Sequence, residues 1–156
     1  MKTLILYATK NGAAAEIANR IAGQIEGAET HDLKQKPIPV LEDYDCIIVG
    51  TSIYAGTIRK EAKEYITENA GVLAKKRLGL FISGMGTENE EGVINSAFPS
   101  ELVKAAKAAN VLGGIFDPAK SGFFARLIMK AVTKQSGYVC NINDEKIAQF
   151  VEKMKS

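Results

Sequence analysis

The chain has 156 residues, 46% hydrophobic and 24% charged, with a net charge of +2. That size and balance fit one soluble globular domain over 1–156, large enough to bury a sizeable core. No apolar run approaches the roughly 20 residues of a membrane-spanning helix, and Cys46 and Cys140 have neither C-x-x-C spacing nor the density of a disulfide scaffold.

Both cysteines are therefore expected to be reduced core thiols of a cytoplasmic protein, and Met1-Lys2 leads into a strand rather than a secretory signal. Charge is unevenly spread. Lys120, Arg126, Lys130 and Lys134 give the stretch 118–137 a charge of +4 with no acid, leaving −2 for the rest. No nucleic-acid partner is expected.

Strands alternate with helical patterns from end to end. Leu4–Tyr7 reads as a short apolar strand, and Ala14–Ile25 as a helix with Ala14, Ala18 and Ala22 on one row and Ile17, Ile21 and Ile25 on the next. A short strand over Glu29–Leu33 follows, then a loop containing Pro37 and Pro39 with at most a brief helical turn. Asp45–Gly50 carries four successive apolar residues, the pattern of a strand buried on both faces. A helix is expected over Arg59–Asn69, a strand over Leu78–Ser83, a polar loop over Glu88–Asn95, a helix over Pro99–Ala109 and a strand over Val111–Phe116. The basic, partly helical segment 118–137 interrupts the pattern before a strand-like Tyr138–Asn141. An amphipathic helix through Ile147, Phe150, Val151 and Met154 closes the chain, capped by Asn143 or Asp144. Five strands with intervening helices make an α/β domain with a parallel sheet, for which 2-1-3-4-5 is the economical strand order.

In that order, the turns after three strands share one edge of the sheet. The first, Thr9-Lys10-Asn11-Gly12-Ala13, offers a hydroxyl, an amide and successive N–H groups at a helix start, a set able to hold a phosphate. It lacks both the P-loop and the dinucleotide fingerprints; an ordinary turn capped by Thr or Asn is the alternative. The second, Gly50–Thr57, places Ile53 and Tyr54 between small residues, as a wall for a planar ring requires. The alternative there is an aromatic lying over the sheet edge. The third, Gly84-Met85-Gly86-Thr87, has two glycines and donors for a ligand edge. His31, the only histidine, lies away from all three, and no Ser/His/Asp set or cluster of metal ligands is present, so redox work would belong to a cofactor.

Tyr7-Ala8-Thr9-Lys10-Asn11-Gly12, Tyr44 through Tyr54, and Phe81-Ile82-Ser83-Gly84-Met85-Gly86 together resemble the flavodoxin-like FMN-binding proteins, over nearly the whole chain. The resemblance implies a three-layer α/β sandwich with a five-stranded parallel sheet and an insertion in the last strand. It implies FMN, with Thr9, Lys10, Asn11, Gly12 and Ala13 on its phosphate. Ser52, Ile53, Tyr54, Ala55 and Gly56 would lie on one side of the flavin, and Gly84, Met85, Gly86 and Thr87 on the other. The opening Met1–Leu6, the Ser52-Ile53 turn and Phe123–Lys130 before Ser136-Gly137 are similar to the menaquinone-dependent protoporphyrinogen oxidases. Three departures stand out: Ala13-Ala14 where a second Thr commonly closes the phosphate turn, Ala55 between Tyr54 and Gly56, and no aromatic in Gly84–Gly92.

The resemblance implies an FMN-dependent oxidoreductase acting on a quinone or porphyrin; the alternative is a flavodoxin that shuttles electrons to a redox partner protein. A response-regulator receiver would need acids at the ends of the first and third strands, where this chain has Tyr7-Ala8-Thr9 and Gly50-Thr51-Ser52. Arg126, Lys130 and Lys134 share one helical row, so Phe123–Lys134 is read as a peripheral contact with an anionic membrane, or else as a docked helix with a solvated basic side.

Overall fold

The computed structural model describes residues 1–54, 56–84, 89–116 and 139–156. Its elements are β1 (Thr3–Ala8), α1 (Ala13–Ala22), β2 (Glu29–Asp32), a 3-10 turn (Leu41–Asp43), β3 (Cys46–Tyr54), β4 (Thr57–Ile58) and α2 (Lys60–Leu73). There follow β5 (Arg77–Ser83), α3 (Glu90–Ala97), α4 (Ser100–Ala105), β6 (Ala108–Val111), β7 (Ile115–Phe116), β8 (Val139–Cys140) and α5 (Asp144–Lys155).

The main sheet runs β2-β1-β3-β5-β6, all parallel, with Leu4 opposite Ile47 and Ile47 opposite Leu78. Counted along its parallel strands this is the expected order 2-1-3-4-5. The two-residue β4 turns back antiparallel on the end of β3, and β7 and β8 form a separate antiparallel ribbon.

Strand alternation divides the core. Leu4, Leu6, Ile47, Val49, Leu78, Leu80 and Ile82 face Ala62, Tyr65 and Ile66 of α2 and the α3–α4 residues Ile94, Phe98 and Leu102. Ile5, Cys46, Ile48 and Phe81 face Ala14, Ile17 and Ile21 of α1 and Ile147, Phe150, Val151 and Met154 of α5. Helices therefore cover both faces, as a parallel sheet requires. Asn143, not Asp144, caps α5, its side chain accepting from the Lys146 N–H at 3.0 Å.

Several expected boundaries move. Glu88–Asn95 was expected as a loop, but Glu90–Ala97 is helical: Asn89 accepts from the Gly92 N–H, and Ile94 is buried. The helix expected over Pro99–Ala109 ends at Ala105, and the strand expected over Val111–Phe116 begins at Ala108. The Lys107 N–H donates to Leu78 O at 2.7 Å, so ladder pairing overrides the helical preference of the alanines. β3 runs past Gly50 to Tyr54, making part of the second turn a hairpin. Cys46 is buried as expected, but Cys140 is exposed, because its two-residue strand lies in the outlying ribbon. The basic segment 118–137 lies outside the described residues.

Candidate functional site

β1, β3 and β5 are parallel neighbours, so the turns that leave them meet at one edge. In the first turn, Thr9 Oγ1 accepts a hydrogen bond from the Gly12 N–H at 2.8 Å. Gly12 is the N-terminal cap of α1 at φ +94°, a left-handed conformation that glycine adopts without strain. The first intrahelical bond runs from the Glu16 N–H to Gly12 O at 3.0 Å, and no side chain caps the helix. The amides of Ala13, Ala14 and Ala15 thus precede the helical ladder and present the positive end of the helix dipole. Space is open where a Gly12 side chain would stand.

One contact joins this turn to the second, and another joins the second to the third. The Lys10 N–H donates to Ser52 Oγ at 3.2 Å. Ile53, at the end of β3, lies directly against Gly84: a Cβ added at Gly84 would come within 2.7 Å of Ile53 Cγ2. Ser52 and Ile53 are half-buried at the strand end, and Gly56 follows at φ +80° with open space beside it. Beneath them Thr51 is fully buried; its hydroxyl donates to Ser52 O at 3.0 Å and accepts from the Arg59 N–H at 3.2 Å, tying the hairpin to the start of α2.

Of the expected site residues, Thr9, Lys10, Asn11, Gly12, Ala13, Ser52, Ile53, Gly56 and Gly84 therefore gather along one edge. Tyr54 lies at the end of β3. Ala55, Met85, Gly86 and Thr87 lie outside the described residues. His31 is on β2, its Nε2–H donating to Gln35 O at 2.8 Å, which suits a structural role. Burial, reinforced by the Asp32 charge, holds the Tyr7 phenol above its ordinary pKa, so it stays neutral beside the first turn. Among the described residues no cluster of His, Cys, Asp and Glu could hold a metal, and no helix is long and apolar enough to cross a membrane.

Residues 4–140 match the family model described as the flavodoxin domain. This chain belongs to that family. Part of it is 31% identical over 74 residues to the protoporphyrinogen IX dehydrogenase [quinone] of Escherichia coli strain K12, a match covering 45% of this chain and 41% of that protein. The match thus spans about two fifths of that relative's length. Among solved structures, a short-chain flavodoxin associated with a bacterial microcompartment aligns with a TM-score of 0.64 at 16% identity, over 99% of this chain and 97% of that one. The oxidised flavodoxin 1 of Bacillus cereus aligns with a TM-score of 0.55 at 18% identity, again over 99% and 97%. At these identities the structures establish the flavodoxin-like fold.

Two features of this flavodoxin domain escape a sequence reading. Gly113-Gly114 resembles the middle of a strand, yet Gly113 stands at φ +92° and a side chain there would strike Asn141 O at 1.9 Å. The doublet is where the chain leaves the sheet edge for the ribbon and passes closely over Gly84. The other is Glu90, whose carboxylate joins three elements distant in sequence.

Proposed function

We propose that this chain is an FMN-binding redox flavoprotein, one domain over 1–156 interrupted by the basic insertion at 118–137. The observation that carries the proposal is the convergence of three turns, Lys10 to Ser52 and Ile53 to Gly84, at the carboxyl edge of a flavodoxin-family sheet. The residues fit the cofactor. Thr9, Lys10, Asn11, Gly12 and Ala13 hold the phosphate, chiefly through backbone N–H groups at the open start of α1. Ser52, Ile53, Tyr54, Ala55 and Gly56 lie on one side of the ring, and Gly84, Met85, Gly86 and Thr87 on the other. Bound FMN supplies the electron transfer; the protein binds it, orients it and limits its contact with water.

The finer reading is an FMN-dependent oxidoreductase with a quinone acceptor and a porphyrin-class donor. The 31% identity to the E. coli dehydrogenase supports it. The second reading, an electron carrier serving a redox partner protein, is favoured by the full-length alignments to flavodoxins. A cytoplasmic location goes with both readings; Phe123–Lys134 as a peripheral membrane contact belongs to the first and rests on the charge pattern.

The test is reconstitution of the purified chain with FMN, followed by its visible spectrum through stepwise reduction. A flavin spectrum in the protein fraction is expected; a colourless protein that takes up no FMN overturns the proposal. Turnover of protoporphyrinogen IX with a quinone then supports the oxidoreductase, whereas two well-separated one-electron steps without such turnover support the carrier.

A further inference from the structure

Both ends of the third turn are held by the same strand end. At its entry, the Gly84 N–H donates to Gly113 O at 3.0 Å, and a Cβ on Gly114 would stand 3.1–3.2 Å from the Gly84 backbone. Leu112 N–H donates to Ile82 O at 3.0 Å just below. At its exit, Glu90 opens α3 but turns its carboxylate to the end of β6. One carboxylate oxygen accepts from the Val111 N–H at 3.0 Å and also from Lys146 Nζ of α5; the other accepts from Asn110 Nδ2 at 3.4 Å.

An acid in the first turn of a helix ordinarily complements the dipole or caps the end. Here Asn89 already caps α3, so the Glu90 carboxylate is not needed for that task. Glu90 and Lys146 are half-buried, with side-chain exposures of 30% and 28%, so solvent screens their ion pair only in part. Charge-assisted hydrogen bonds in such a setting are among the stronger ones.

We propose that Glu90 is a positioning residue for the flavin site: through Val111 and Lys146 it fixes the exit of the third turn on the strand end that also fixes its entry. The proposal rests on the reading that this turn faces FMN. It says that ring binding at Gly84 depends on a contact made beyond the turn, by a side chain that touches no flavin.

The experiment compares affinities for FMN and for riboflavin, which carries the ring without the phosphate, in the full chain. Glu90→Ala is expected to weaken both about tenfold, leaving their ratio unchanged, because the phosphate cradle is untouched. Glu90→Gln keeps an acceptor for the Val111 N–H and is expected to recover most of the loss; Lys146→Met is expected to fall between. Tyr44→Phe serves as a stability control at the opposite edge of the sheet, where the Tyr44 hydroxyl donates to Glu29 at 2.5 Å, and is expected to bind both flavins normally. The proposal is overturned by unchanged affinities in folded Glu90→Ala, by a loss confined to FMN, or by an equal loss in Tyr44→Phe. If Glu90→Ala does not fold, wild-type affinities in both Glu90→Gln and Lys146→Met overturn it instead. A wild-type chain that binds neither flavin removes the flavin reading itself, and this proposal with it.

Discussion

Thr9 and Gly12 divide the work of the first turn. Gly12, at φ +94°, turns the chain into α1 through a conformation that costs a residue with a Cβ about 1–2 kcal/mol. Thr9 Oγ1 accepts from the Gly12 N–H at 2.8 Å, which fixes the turn and leaves the hydroxyl proton free to serve as a donor. With Ala13 and Ala14 next in the chain, Thr9 supplies the one side-chain hydroxyl between Ala8 and Ala15. Thr9→Ala is therefore expected to weaken FMN roughly tenfold while sparing riboflavin. Thr9→Ser is expected to stay near wild type, and titration of both flavins against both variants checks it. Equal losses for the two flavins would mean that Thr9 acts on the ring or the fold rather than on the phosphate.

The elements meet through a few close approaches rather than through bulk alone. Gly50 of β3 lies opposite Phe81 of β5, and a Cβ at Gly50 would stand 1.9 Å from Phe81 Cζ. The ring cannot easily yield, because Phe150 of α5 meets it edge to face at 6.3 Å. Gly50→Ala should thus destabilise by about 1–3 kcal/mol through overpacking, and Phe81→Leu should relieve part of that loss. Denaturant unfolding of the two single variants and the double variant checks the coupling; purely additive losses would refute it. Gly50, which sequence reading placed in the ligand turn, is in this light a packing residue. The other strands and turns divide by how local their signal is. β1, β3 and β5 are legible because continuous apolar runs end in small residues, and that same punctuation marks the three turns. The helix α3 is hidden by Glu90, Glu91 and Gly92 at its start, and β6 by its Ala-Ala-Asn-Val composition, which only its pairing with β5 makes a strand. Glu90 is illegible for a related reason: its partners Asn110, Val111 and Lys146 lie 20, 21 and 56 residues away.

At the scale of the molecule, the titrating groups that tie elements together limit stability from opposite ends of the pH range. For Glu90, burial pushes the carboxyl up, but the hydrogen bond and charge of Lys146, the Val111 N–H and Asn110 together outweigh it and leave the pKa below the ordinary value. A depressed folded-state pKa contributes stability that is complete above the unfolded carboxylate value of about 4.3 and is lost as pH falls through the lower folded value. The tyrosines carry the opposite sign. The hydrogen bond to Glu29, then burial, then the Glu29 and Asp43 charges push Tyr44 up to about 12. Burial, aided by Glu42, does the same for Tyr65, also to about 12. Raised folded-state values give a contribution complete below the unfolded phenol value of about 10 and lost as pH rises through about 12. The thermal midpoint should therefore hold a plateau between these limits and fall on both sides. Glu90→Gln should lower the plateau and flatten only the acid limb; Tyr44→Phe should lower it and flatten only the alkaline limb. Unfolding scans of the wild type and both variants across the range decide this. A variant whose curve runs parallel to the wild type on its own limb would show that the named group does not set that limb, and that the three-element junction at Glu90 or the β2 tether at Tyr44 holds by shape rather than by charge.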